Sequence, residues 1–147
     1  MTLENLVGKG LRHESASLDE IQRLLTKANT RLEDAANQSV SRDSRFDLAY
    51  EAILQLAICA LRANGYRPDS KGGHHMTALQ GLTKSIGYPR ERVRLVDEFR
   101  RQRAISLYDG SFDPTEQELN ALLETGAELQ AHLINWLKEN RPELTSD

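Results

Sequence analysis

The feature that most constrains the fold is a long apolar segment between residues 41 and 65. Ser41 or Asp43 can cap its start, and Gly65 and Pro68 can end it. Its apolar side chains recur at the spacing of one helical face, at Phe46, Tyr50, Ile53, Leu54, Ala57, Ile58 and Leu61. Because no other predicted helix is as hydrophobic, we expect this one at the centre of a helical bundle.

Capping signals and glycine or proline stops divide the rest of the chain into four further helices. We expect these helices at about residues 17–37, 76–86, 89–108 and 113–140. The first opens with a capping box in which Ser17 accepts an amide proton and the Glu20 side chain reaches back. Asp113 is the expected cap of the last. No stretch alternates as a strand would, and residues 66–73 are expected to form a polar loop.

The sequence therefore predicts an all-α, up-and-down bundle of about five main helices in a single domain, residues 1–147. We expect the core at about residues 17–139. A short helical turn at residues 3–7 precedes it, and a frayed C-terminal tail follows it.

Composition and charge restrict the classes of function. The formal net charge is −3, so any attraction to phosphate must come from a local patch. Cys59 lies in an apolar helical run and is expected in the core. As the one cysteine it cannot form a disulfide within the chain, which indicates a reducing cytoplasm. No apolar stretch reaches the roughly 18 residues of a membrane-spanning helix, so no membrane association is expected.

Two adjacent histidines, His74 and His75, open the short predicted helix. Neighbouring residues point in different directions on a helix, so they do not form a pair of metal ligands, and the sequence holds no cluster of cysteine and histidine. We expect no metal and no cofactor. Either histidine could still transfer a proton, since imidazole titrates near neutral pH.

The helix expected from Pro89 carries arginines on its apolar side. At about 100° per residue, its inward arc is defined by Val93, Val96, Ala104 and Leu107. Arg100 falls in the middle of that arc and Arg103 near it. A buried charge needs partners, and two interpretations stay open. The arginines either bind carboxylates such as Asp47 or Glu51, or clamp a phosphate.

Other polar residues lie beside this arc. Asp97, Arg101 and Tyr108 share the adjoining face, and Asp97 and Arg101 can form an ion pair four residues apart. Upstream, the positive charge is extended by Arg90, Arg92 and Arg94. A basic helix of this kind could attract nucleic acid despite the negative net charge.

The order of these features resembles the HEPN family, helical domains of prokaryotic toxin–antitoxin and defence systems. The resemblance covers roughly residues 17–139, and its strength lies in the order of several segments. Those segments are Asp47-Leu48-Ala49-Tyr50-Glu51-Ala52, Leu61-Arg62-Ala63-Asn64-Gly65-Tyr66-Arg67-Pro68, Gly73-His74-His75 and an arginine-rich helix ending Tyr108-Asp109-Gly110. The chain looks closest to small stand-alone proteins of the actinobacterial branch.

The resemblance implies a dimer in which catalytic members hold RNA phosphate with an arginine and move protons with a histidine four to six residues later, without metal. Arg103 or Arg101 matches the arginine, but Tyr108 stands at the histidine position and Ala104 replaces the usual asparagine. A phenol, whose reference pKa is about 10, accepts a proton poorly at pH 7. His74 or His75 could substitute if the fold brings one close.

Three hypotheses follow for the function. The first is a non-catalytic homodimer that binds RNA, a nucleotide or a partner protein through the surface of Arg100, Arg101, Arg103 and Tyr108. The second is a metal-independent ribonuclease toxin that uses Arg103 with Tyr108 or a nearby histidine. The third is a purely structural or partner-binding bundle. The resemblance also implies a cognate nucleotidyltransferase antitoxin as a partner, with Tyr108 as its target.

Overall fold

The computed structural model describes residues 2–69 and 73–145, and of His74 the backbone alone. Within these residues the chain is an all-α helical bundle, as predicted, with a small two-stranded sheet at one side. The helices are α1 (Leu18–Ala35), α2 (Arg42–Ala63), α3 (His74–Gln80), α4 (Leu82–Ile86), α5 (Arg90–Asp109) and α6 (Glu116–Asn140). The strands are β1 (Leu11–His13) and β2 (Tyr66–Pro68). Two 3-10 helices, Leu3–Leu6 and Pro142–Leu144, lie near the two ends.

The most apolar helix, α2, lies at the centre of the bundle, as predicted. It packs chiefly against α1 and α6, and the short helices and β2 cover its C-terminal part. Phe46, Ile53 and Leu61 are almost completely buried along it. Cys59 is also buried, and this burial raises the pKa of its thiol to about 12. The cysteine is therefore a core residue, as its sequence context indicated.

The prediction of a loop without strands at residues 66–73 was wrong at residues 66–68, and residues 70–72 lie outside the described residues. β2 pairs antiparallel with β1, and Arg12 lies opposite Arg67. Strands of three residues are too short to show an alternating pattern. What holds them is the buried side chain of Arg62, which donates to the backbone carbonyls of Glu14, Ser15 and Tyr66.

Only half of the capping box predicted for α1 is present, because Arg62 binds the side chain of Glu20. The Ser17 hydroxyl accepts the amide proton of Glu20 as expected. The Glu20 carboxylate, however, binds Arg62 and Arg67 instead of reaching back to the cap. The hydrogen bond from Arg62 is the main reason that the pKa of Glu20 is lowered. A buried guanidinium needs a carboxylate more than an exposed helix end does.

Two other helix boundaries differ from the prediction. The short helix expected at residues 76–86 is two helices, α3 and α4, which meet at Gly81. A Cβ atom at Gly81 would lie 3.0 Å from the backbone carbonyl oxygen of Thr77, so glycine avoids a crowded contact at this corner. The last helix begins two residues later than predicted, because Thr115 rather than Asp113 caps it, in a reciprocal box with Glu118. In the described part of the chain no helix combines the length and apolar character needed to cross a bilayer.

Candidate functional site

α5 leaves the core partway along its length. Its first half is anchored by Val93, Val96 and Phe99, which are buried. In its second half Leu107 is 81% exposed and Tyr108 is 90% exposed. The prediction that Ala104 and Leu107 face the interior was therefore wrong. A helix of 20 residues is about 30 Å long. The α3 and α4 helices that cover it have seven and five residues, so they cover only its beginning.

Arg103 is bound to carboxylates on α2. Its Nε donates to Asp47 Oδ1 at 3.0 Å, and its Nη2 lies 3.6 Å from Glu51 Oε1. Its guanidinium carbon is 4.9 Å from the centre of the Tyr50 ring, a cation–π contact. Of the two interpretations left open by the sequence, the pairing of Arg103 with Asp47 and Glu51 is the one that the structure contains.

Arg100 and Arg101 share the carboxylate of Asp97, and Arg101 also lies near that of Glu98, with its Nη1 3.8 Å from Glu98 Oε2. Arg100 Nε donates to Asp97 Oδ1 at 2.9 Å, and Arg101 Nη2 lies 2.9 Å from Asp97 Oδ2. Asp97 is only 7% exposed, whereas Arg101 reaches out into solvent. The ion pair predicted between Asp97 and Arg101 is therefore present. The three arginines are matched by at least as many carboxylates nearby, so this surface has no excess of positive charge.

A cleft of about 220 Å³ opens beside Arg103, and it is lined by Asp43, Asp47, Arg103, Ser106, Leu107 and Phe112. Two of its three charged groups are carboxylates, which repel a phosphate. The Ser106 hydroxyl donates to the carbonyl of Phe112 and accepts from that residue's amide, so it is already bonded within the chain. The cleft suits a cationic or neutral group better than an anion.

Tyr50 is the site residue that the sequence did not reveal. It was counted among the apolar residues of α2 and is 1% exposed. Among the described residues its hydroxyl has no hydrogen-bond partner, and burial raises the pKa of the phenol. The centre of its ring lies 6.4 Å from that of the His75 ring. Arg103 of α5 and the ring of His75 of α3 thus both neighbour Tyr50, an arrangement that sequence spacing alone could not show.

The remaining candidate residues are not part of the group around Tyr50. Tyr108 stands on the exposed end of α5, away from Tyr50, and the His74 side chain lies outside the described residues. His13 binds Glu4, and His132 binds the carbonyl of Ile86. Neither belongs to the site. Within the described residues, no group of three or more histidine, cysteine, aspartate or glutamate side chains is arranged to hold a metal ion.

Comparison of the chain with protein-family models, with curated proteins and with solved structures gives no match.

Proposed function

We propose that the chain is a non-catalytic, HEPN-like protein that acts by self-association through the exposed end of α5, defined here as residues 104–109. The observation that carries this proposal is the exposure of Ile105 and Tyr108, two large apolar side chains three residues apart on one face of α5. Ile105 is 58% exposed and Tyr108 90%, and Leu107, at 81%, adds exposed apolar area on another face of the same turn. A concentrated exposed apolar surface on a small protein is typical of an interaction site.

A second copy of the chain fits this surface because opposite charges on the two copies would face each other. Arg101, Ile105 and Asp109 are spaced four residues apart and form one stripe along α5. If two helices cross antiparallel with Ile105 at the twofold axis, Arg101 of each copy faces Asp109 of the other. Hydrogen bonds from Ser111 lower the pKa of Asp109, so its carboxylate is charged at neutral pH.

The geometry of the arginines supports a non-catalytic role. A ribonuclease of the HEPN type needs a guanidinium available to phosphate and a proton-transfer group beside it. Here Arg103 is bound by Asp47 and Glu51, and the residue in the expected histidine position, Tyr108, points into solvent. Arg103 then stabilises α5 against α2, and the apolar end of α5 remains available for association.

The test is sedimentation velocity over a range of protein concentrations. We expect a dimer for the natural chain. Ile105→Glu should raise the dissociation constant by about 100-fold or more, because it places two carboxylates together at the twofold axis. Leu18→Glu is the matched control, since Leu18 is the same kind of partly exposed apolar residue, at 38% exposure, on α1. It should leave the dimer intact.

A charge exchange tests the antiparallel geometry itself. Arg101→Asp alone should weaken the dimer, and adding Asp109→Arg in the same chain should restore it, because the two groups again face opposite charges. A natural chain of monomer mass at every concentration would refute the self-association. A dimer unaffected by Ile105→Glu would show that another surface forms it.

Metal-independent RNA cleavage is a second candidate, favoured by the presence of both Arg103 and His75 beside the Tyr50 ring. In this case His75 rather than Tyr108 would transfer the proton. Incubation with mixed RNA in EDTA, beside Arg103→Ala and His75→Ala, tests it. Cleavage lost in both variants would support the ribonuclease, whereas intact RNA with the natural chain would exclude it.

A further inference from the structure

The groove between α4 and the first half of α5 carries a different kind of surface. It encloses about 230 Å³ and is lined by Gln80, Thr83, Lys84, Arg90, Val93 and Arg94, called the basic groove below. We infer that the basic groove binds the phosphate backbone of single-stranded RNA. This inference does not rest on self-association, because all of the lining residues belong to one copy of the chain.

The cations of the basic groove are exposed and close together. Arg90 and Arg94 are four residues apart, so they lie on the same face of α5, and Lys84 reaches the groove from α4. Two guanidinium groups and an ammonium group around one hollow are the donors that phosphate oxygens prefer. The hollow has room for part of a single strand and is too small to hold a duplex.

These three cations have no carboxylate partners within the described part of the chain. Their neighbour Arg92 does, since its guanidinium lies 3.2 Å from Glu128. Glu91 and Glu98 are on the same helix, but neither lines the groove. An unpaired cation needs no carboxylate to be displaced before it binds phosphate.

The start of α5 adds positive potential to the same place. Pro89 is the residue before the helix and offers no side-chain acceptor to the first amide groups. Amides at a helix start carry a partial positive charge. The basic groove thus concentrates positive potential on a chain whose net charge is −3, which is the local patch that phosphate binding requires here.

The neutral lining favours RNA over DNA. The Thr83 hydroxyl donates to the carbonyl of Tyr88 at 2.8 Å, so its oxygen can still accept a hydrogen bond. Gln80 is exposed, and its amide can both donate and accept. A ribose 2′-hydroxyl is likewise both donor and acceptor, and it is what lets a protein distinguish RNA from DNA. Val93, which is buried beneath the rim, supplies an apolar floor.

The test is fluorescence anisotropy of the full chain with a labelled 12-nucleotide single-stranded RNA, repeated at several salt concentrations. Three phosphate contacts predict that the logarithm of the binding constant falls with the logarithm of salt with a slope of about −2. Arg90→Gln with Arg94→Gln should remove two of these contacts. The affinity at 50 mM salt should then fall roughly 10- to 100-fold, and the slope should become about 1.4 less steep.

The matched control is Arg23→Gln with Lys27→Gln, which removes two exposed cations with the same four-residue spacing from α1. This control should bind RNA as the natural chain does, and circular dichroism should show both double variants folded. The inference is overturned if the natural chain binds no RNA at 50 mM salt, or if the control loses as much affinity. DNA of the same sequence binding as tightly as the RNA would overturn the assignment to RNA.

Discussion

The two halves of α5 differ in which of their residues find partners inside the molecule. In the first half, residues 90–99, the apolar side chains are buried, while Arg90 and Arg94 remain unpaired among the described residues. In the second half, residues 100–109, the arginines are paired with carboxylates, while the large apolar side chains are exposed. The same residue types therefore have opposite roles at the two ends of one helix.

The difference comes from what lies against each half. α3 and α4 present apolar surface to the first half, so Val93 and Val96 are buried there and the cations turn outward. The second half passes beyond these short helices and meets the acidic start of α2, which offers Asp47 and Glu51. The first half is therefore suited to an anion, and the second half to an apolar partner. Burial and charge pairing, rather than composition, decide the role of each half.

The largest expected effect tests burial. Phe99→Ala should destabilise the chain by about 3–5 kcal/mol, because Phe99 is 5% exposed and its ring packs edge-on against Phe46 at 5.2 Å. Leu107→Ala should change the free energy of unfolding by no more than about 0.5 kcal/mol, since Leu107 is mostly exposed. Both are measured by urea unfolding in an Ile105→Glu background, which removes any contribution from association.

A cost above about 2 kcal/mol for Leu107→Ala in that background would break the comparison. It would mean that the second half of α5 is buried within a single copy of the chain. Equal small costs for Leu107→Ala and Phe99→Ala would instead mean that the first half is not anchored.

A smaller effect tests whether pairing is what separates the two sets of arginines. Asp97→Asn keeps the shape of a side chain that is 7% exposed but removes the charge that holds Arg100 and Arg101. We expect it to destabilise the chain by about 1–3 kcal/mol. Glu98→Gln removes an exposed carboxylate on the same turn that lies 3.8 Å from Arg101, and it should cost less than about 0.5 kcal/mol because solvent screens that pair.

Asp97→Asn should also make the second half resemble the first. With Arg100 released and Arg101 left with the exposed Glu98, the affinity for single-stranded RNA at low salt should rise severalfold, as measured by anisotropy. If Asp97→Asn leaves RNA affinity unchanged while Arg90→Gln with Arg94→Gln abolishes it, pairing is not what keeps the second half from binding phosphate. The position of the arginines on α5 would then be the cause.

Features that depend on local sequence were predictable. The periodicity of residues 46–61 placed α2 at the centre, and Ser17 identified the start of α1. The ion pair of Asp97 with Arg101 followed from their separation along one helix. In each case the pattern and its structural result lie within a few turns of the chain, so propensity and spacing were sufficient.

Features that depend on distant residues were not predictable. The β1–β2 sheet forms because Arg62 is buried against carbonyls that lie almost 50 residues earlier. The exposure of Leu107 depends on how far α3 and α4 extend, which its own pattern does not encode. The pairing of Arg103 with Asp47, 56 residues away, was one of two interpretations that the sequence left open, because it depends on how the helices are placed together.

The smallest effect measures how strongly the second half is neutralised. Arg103 and Asp47 are both partly exposed, at 31% and 47%, so solvent screens their attraction. A double-mutant cycle of Arg103→Met and Asp47→Asn should give a coupling of about 0.2–1 kcal/mol at low salt. That coupling should decrease at 1 M NaCl, where the Debye length is about 3 Å. Arg103→Met alone should cost more than the coupling, because the cation–π contact with Tyr50 is also lost.

The Arg42–Glu116 pair is the control for this cycle, because both of its side chains are more exposed and its charged atoms are 3.8 Å apart. It should show a smaller coupling.

A coupling above about 2 kcal/mol between Arg103 and Asp47 that does not change with salt would show that the pair is shielded from water and that no ligand could displace Asp47. The second half would then be closed to phosphate by burial. A weak, salt-sensitive coupling would mean that a ligand could still compete for Arg103, so pairing would only reduce phosphate affinity there. The basic groove, whose cations need no such exchange, would then be the stronger phosphate site of the two.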